Sequence, residues 1–174
     1  HEPWTAVGSQ GRAFLDRGPR AEDIKKVMHY DRAREPIRVY IGLIRGRGPQ
    51  AAARQAVAEM DRTGAFHRNT IVVQLPSGSG WINNYSVSAY EFLTRGNCAT
   101  VAVQFDYLPS MFSYLADKDL SRTFARELIT AVQERLELLP EDNRPKFYLS
   151  GESLGCYAIV ELSLIHISEP TRRR

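Results

Sequence analysis

The sequence predicts an α/β fold, a mostly parallel sheet with helices on both faces. Three observations carry that expectation. Strand-length apolar runs alternate with helix-length segments along the 174 residues, the pattern of strand–helix–strand units. Two of the runs, Thr70–Leu75 and Ala99–Phe105, are almost continuously apolar, as strands covered on both faces are. A Gly-x-Ser-x-Gly sequence, Gly151-Glu152-Ser153-Leu154-Gly155, stands where a strand gives way to a helix.

The elements follow in order. The first 35 residues are polar and turn-rich, with one short helix over Ala21–His29. After Pro36, Ile37–Leu43 reads as a strand because β-branched and aromatic residues dominate it. Gly46, Gly48 and Pro49 make a loop. Ala51–Arg62 is Ala-rich and favours helix, with Gly64 as its stop. The Thr70–Leu75 strand runs into the Gly/Ser loop Pro76–Trp81, and a helix over Ser86–Thr94 ends at Gly96. Asp106–Met111 is a loop after the Ala99–Phe105 strand. Leu120, Phe124, Leu128, Val132 and Leu136 recur every fourth residue, predicting an amphipathic helix over Leu120–Leu138. Pro140 and Pro145 bracket a turn, Lys146–Ser150 is a short strand, and a helix begins at Leu154.

Composition bounds the function. Hydrophobic residues are 43% and charged residues 25%, values of an ordinary globular domain that exclude a disordered tail or a collagen-like repeat. No apolar run approaches the 18 or so residues of a membrane helix. The net charge of +3 comes largely from Arg172, Arg173 and Arg174, so it makes no case for nucleic acid. Cys98 and Cys156 lack metal-ligand spacing and suggest neither zinc nor a disulfide framework. Cys98 is expected at the amino end of the sheet and Cys156 at the carboxyl end, too far apart to pair. Nothing in the sequence calls for a cofactor or a metal.

The Gly-x-Ser-x-Gly sequence carries the chemistry. A nucleophilic serine at a sharp strand-to-helix turn needs strained backbone angles, and glycines two residues away let neighbouring backbone pass without a Cβ clash. Ser153 is the candidate nucleophile. The Leu154 N–H points toward a developing oxyanion, reinforced by the positive end of the new helix. A second donor is expected from the Gly/Ser loop, at Gly78 or Ser79, whose small side chains let backbone N–H groups reach a substrate oxygen. Tyr107, just past a strand's carboxyl end, is a candidate for the substrate pocket. Glu152 is expected to point away from Ser153, as a surface or supporting carboxylate. Cys156 is expected to be a small packed residue rather than a second nucleophile.

A serine nucleophile needs a base, and the base an orienting acid. In this chemistry the chain order is Ser, then Asp or Glu, then His. His1, His29 and His67 all precede Ser153, and no histidine is nominated. Residues 162–174, beginning Leu-Ser-Leu-Ile-His-Ile-Ser-Glu-Pro, look like a translated transposase sequencing adapter. His166 then has no chemical meaning, residues 1–161 are the native part, and the natural protein is expected to continue beyond Glu161. The chain also begins at His1 with no signal-like segment, as a fragment or processed form would.

Further stretches extend the pattern: Gly11-Arg12-Ala13-Phe14, Glu35–Leu43, Arg62-Thr63-Gly64-Ala65-Phe66, Gly78-Ser79-Gly80-Trp81, Tyr107-Leu108-Pro109-Ser110, and Arg144-Pro145-Lys146 leading into Gly151–Gly155. Together they resemble a bacterial α/β-hydrolase family, best represented in actinobacteria, with an N-terminal membrane-spanning region and a serine-hydrolase-like catalytic domain. The resemblance covers most of residues 8–161. It implies a truncated α/β-hydrolase fold, the first part of the catalytic domain, with Ser153 as nucleophile by position. It also implies a parent protein anchored in a membrane through a region upstream.

The expected function is a serine hydrolase acting on an ester, thioester or lipid-like acyl substrate, without nucleic acid or cofactor. The chain alone, lacking the triad acid and histidine, is expected to be inactive. The alternative is a non-catalytic module of the same fold that binds a lipid or a partner at the membrane.

Overall fold

The structure is a computed structural model that describes residues 4–5, 7–106, 118–153 and 155–160. Four strands form one sheet: β1 (Ile37–Ile41), β2 (Thr70–Leu75), β3 (Cys98–Val103) and β4 (Lys146–Gly151). Their spatial order is β1-β3-β2-β4, and every neighbouring pair is parallel. The expected parallel α/β architecture is therefore present, with β4, the strand leading to Ser153, at one edge of the described sheet.

Helices cover both faces. On one face α3 (Pro49–Thr63) and a 20-residue helix, α5 (Lys118–Glu137), pack on Val39, Ile71, Val73, Val101 and Val103. The every-fourth-residue stripe of α5 is what it buries: Phe124, Leu128, Val132 and Leu136 all lie in this core. On the other face α1 (Gly8–Asp16) and α4 (Asn84–Leu93) pack on Tyr40 and Ala102 through Phe14 and Val87. A short helix, α2 (Ala21–Met28), precedes β1 and buries Ile24. All six residues of β2 and of β3 are buried, as continuous apolar runs require. At the edge, β4 is half-buried to exposed, and Tyr148 is 53% exposed.

The boundaries differ from the sequence expectation, some for local reasons and some through distant partners. β1 ends at Ile41 rather than Leu43 because its partner β3 ends at Val103, the register mate of Ile41. α3 starts at Pro49, whose fixed φ and missing N–H suit the first helical position. α4 starts at Asn84, two residues early, because the Asn83 side chain accepts the Tyr85 and Ser86 N–H groups. Helix α1 lies in the stretch read as turn-rich. Gly11 faces Tyr40 there so closely that a Cβ would sit 2.5 Å from the ring. A helix held by a glycine contact with a distant strand has little local signal to read.

An ion pair fastens that second face. The Arg38 guanidinium, on β1, donates to both oxygens of Glu91 on α4, each at 2.7 Å. Their side chains are 4% and 0% exposed. Arg38 also donates to the Phe14 carbonyl and the Asn84 side chain and lies over the Phe14 ring, so one side chain joins α1, β1 and α4. Burial pushes the Glu91 carboxyl above the usual range, while the Arg38 bonds pull it back. Removing one partner would strand a buried charge, which costs about 3–5 kcal/mol. Glu91→Gln is therefore expected to lose about that much stability in urea denaturation. The double replacement Arg38→Met, Glu91→Leu is expected to regain most of the loss, since apolar pairs of similar volume replace buried ion pairs at little cost.

Candidate active site

The carboxyl ends of β2 and β4 lie side by side, with Leu75 and Gly151 register partners. From Leu75 the chain enters the Gly/Ser loop, and from Gly151 it enters the turn bearing Ser153. The two segments nominated from sequence are thus adjacent because two parallel strands stop together.

Ser153 sits in the turn between β4 and a helix over residues 155–160, and it is exposed. Its φ is 53°, the left-handed region that costs a non-glycine residue about 1–2 kcal/mol. The flanking glycines are sterically required. A Cβ on Gly155 would fall inside the contact distance of the Leu75 carbonyl oxygen. A Cβ on Gly151 would sit 2.7 Å from the Gly155 carbonyl carbon. The turn folds back on itself and on the end of β2, and only glycine fits at either place. Glu152 N–H donates to the Leu75 carbonyl at 3.2 Å, and Gly155 N–H donates to the Glu152 carbonyl at 2.8 Å.

The Gly/Ser loop is ordered by its own backbone and from beneath. Ser77 N–H donates to the Trp81 carbonyl at 3.0 Å, and Gly80 N–H to the Ser77 carbonyl at 2.8 Å. Gly80 has a φ of 82°, and a Cβ there would meet the Tyr40 hydroxyl and the Gln104 side chain. The Tyr40 hydroxyl donates to the Gly80 carbonyl at 3.0 Å, and the Gln104 amide donates to the Ser79 carbonyl at 3.3 Å. The Ser79 N–H makes no hydrogen bond among the described residues. Leu154 and Tyr107, the other nominated residues, lie outside the described residues, as does the tail over 162–174.

Of the two roles expected of Glu152, surface or supporting carboxylate, its surroundings fit the second. Its side chain is half-buried, and Oε1 accepts the Asn83 N–H at 2.6 Å. Burial pushes its carboxyl above the usual range, and the Asn83 N–H partly offsets that. Cys156 corrects the reading as a packed residue: it is exposed, and its sulfur lies against the Gly151 carbonyl. Five residues past the end of β4, that helix position has no layer over it among the described residues. Cys98 is buried at the first residue of β3, and burial pushes its thiol up to about 11. The two cysteines are unpaired, as their positions in the strand order required.

His67 ends the short helical turn just before β2 and so lies at the opposite, amino edge of the sheet from Ser153. A cleft of about 800 Å³ opens at that edge too, among Arg68, Asn97, Asn143 and Lys146, and it holds none of the nominated residues. No group of three or more His, Cys, Asp or Glu side chains placed to hold a metal occurs among the described residues.

The glycine geometry gives a direct test. Gly155→Ala must displace either the turn or the Leu75 carbonyl, and it is expected to cost more than about 4 kcal/mol. Gly48→Ala, at a site with open space and an ordinary φ, is expected to stay within about 1 kcal/mol of wild type. Thermal and urea unfolding of both variants measure the difference.

Comparison with known proteins agrees with this geometry. No match was found among curated proteins or among solved structures. A family model described as the alpha/beta-hydrolase family matches residues 37–168, from the first residue of β1 through the strand-to-helix turn and past it. With its parallel sheet, helices on both faces and glycine-flanked turn at the carboxyl edge, the chain belongs to the alpha/beta-hydrolase family.

Proposed function

We propose that the chain carries the nucleophile of a serine hydrolase acting on ester, thioester or lipid-like acyl compounds. The observation that carries the reading is Ser153 itself. It is held exposed at φ 53° between two glycines that tolerate no Cβ. Strain of this kind persists only where the surrounding structure imposes it, and it concentrates at functional sites. Membership of the alpha/beta-hydrolase family supports hydrolase-type chemistry.

In this reading the Ser153 oxygen attacks the acyl carbon while its proton passes to a histidine base. That histidine and its orienting acid come from chain following Ser153, in the order serine, acid, histidine. The carbonyl oxygen, now negative, accepts hydrogen bonds from the Leu154 N–H and from the Gly78–Ser79 loop. Ser79 is the favoured loop donor because its N–H is not spent inside the loop. The leaving group departs with the proton from the base, and water then releases the acyl group from Ser153 by the same steps. Tyr107 would line the acyl pocket. The parent protein is proposed to be a bacterial, membrane-anchored enzyme. No helix among the described residues is long and apolar enough to cross a membrane, so the anchor in this proposal lies elsewhere.

A fluorophosphonate probe on the full-length protein tests the assignment. It is expected to label wild type and to miss Ser153→Ala and Ser153→Gly. Ser153→Gly is expected to be as stable as wild type or more so, by up to about 1 kcal/mol, since glycine relieves the left-handed strain. No labelling of wild type, or labelling that survives Ser153→Ala, would overturn the nucleophile and favour a non-catalytic binding module.

A further inference from the structure

Helix α4 begins with half of a familiar device. In a capping box the N-cap side chain accepts a backbone N–H from the first turn, and a Glu or Gln three residues on accepts the N-cap N–H in return. Asn83 performs the first half, accepting the Tyr85 and Ser86 N–H groups at 3.0 and 3.4 Å. The residue three positions on is Ser86, which has no carboxylate to return. Glu152 supplies it from 69 residues away, with Oε1 2.6 Å from the Asn83 nitrogen.

The same residue holds the other end of the loop. Glu152 N–H donates to the Leu75 carbonyl at 3.2 Å. Leu75 is the last residue before the Gly/Ser loop, and Asn83 ends the segment that follows it. One residue therefore ties both ends of residues 76–82, and its next neighbour in the chain is Ser153. The middle of the loop rests on Tyr40 and Gln104, which bond the Gly80 and Ser79 carbonyls. Loop and nucleophile turn are thus clamped to each other through Glu152.

We infer that Glu152 is a positioning residue that sets the Ser79 side of the oxyanion site against Ser153 by joining the nucleophile turn to both ends of the 76–82 loop. The inference rests on the serine-hydrolase reading for its consequence in catalysis, but the clamp exists independently of it. A carboxylate suits the task. A charge-assisted bond is about twice as strong as a neutral one, and negative charge is favoured at the start of α4. Hydrogen bonds aimed at an oxyanion are sensitive to small displacements, so a loosened loop lowers the rate without removing any group that touches substrate.

The clamp can be opened from either side. Glu152→Ala removes the acceptor, and Glu152→Gln keeps a weaker one. Asn83→Pro deletes the donor N–H with little strain, because Asn83 has a φ of −72°, within the range of the proline ring. Asn83→Ala keeps the N–H and removes only the side-chain cap, so it separates the two contributions.

Two measurements on the full-length protein decide the matter. The first is amide hydrogen exchange over residues 77–83, which needs no catalysis. Glu152→Ala and Asn83→Pro are each expected to speed it at least tenfold relative to Asn83→Ala, with β2 and β3 unchanged. The second is the rate of Ser153 phosphonylation, together with kcat and KM for a short-chain ester. The same two variants are expected to lose tenfold or more in labelling rate and kcat with KM changed less than about threefold. Glu152→Gln is expected to recover most of that loss, and the Glu152→Ala, Asn83→Pro double variant to be no slower than either single one. Unchanged loop exchange would overturn the clamp, whatever Ser153 does. Faster loop exchange with unchanged labelling and kcat would overturn the positioning role and leave Glu152 a purely structural tie. Wild-type protein that never labels at Ser153 would instead overturn the hydrolase reading, and the exchange result would still decide the clamp.

Discussion

The pairing of Leu75 with Gly151 is the constraint on which the candidate site depends. Parallel strands that end in register deliver their following loops to the same place, and here those loops are the Gly/Ser segment and the turn bearing Ser153. The contact is so close that Gly155 abuts the Leu75 carbonyl and Glu152 N–H bonds to it. A one-residue slip of β4 against β2 would exchange its buried and exposed faces and break the contacts of the Ser153 turn with Leu75. The glycines of the motif are therefore needed as much for the approach of the two strands as for the turn itself.

Support for that edge comes from across the sheet. Tyr40 on β1 packs against Gly11 of α1 and bonds the Gly80 carbonyl. Arg38, two residues earlier on the same strand, clamps Glu91 of α4 and the Phe14 carbonyl of α1. Alternate residues of β1 point to one face, so both side chains serve the layer built by α1 and α4. That layer holds α4, whose first turn receives the Glu152 carboxylate. A chain of polar contacts thus runs from the Phe14 carbonyl of α1 through Arg38, Glu91 and α4 to the turn bearing Ser153, with buried or half-buried partners at each link.

Polar groups in this arrangement are used where position matters more than net stability. A buried ion pair contributes little over an apolar pair of the same volume, yet it is costly to break. It therefore fixes one arrangement of α1, β1 and α4 against sliding alternatives. The strained Ser153 is held in the same way: backbone bonds and glycine contacts on both sides leave the turn no relaxed form compatible with the paired strands.

The sequence by itself determined the features whose causes are local. Continuous apolar runs made β2 and β3 legible, the four-residue stripe made α5 legible, and the glycine spacing around Ser153 marked the turn, because each follows from neighbouring residues along the chain. Tertiary structure alone decided the rest. Helix α1 exists where Gly11 meets a tyrosine 29 positions later, with no periodicity to announce it. The partner of Glu152, the Asn83 N–H, lies 69 residues away. Arg38 and Glu91 read as ordinary charges and are the best-buried ion pair among the described residues. Cys156 reads as a packed residue and is exposed, because β4 lies at the edge of the described sheet. For Gly11, Glu152 and the Arg38–Glu91 pair the deciding partner is distant in sequence, and only the tertiary fold brings it close.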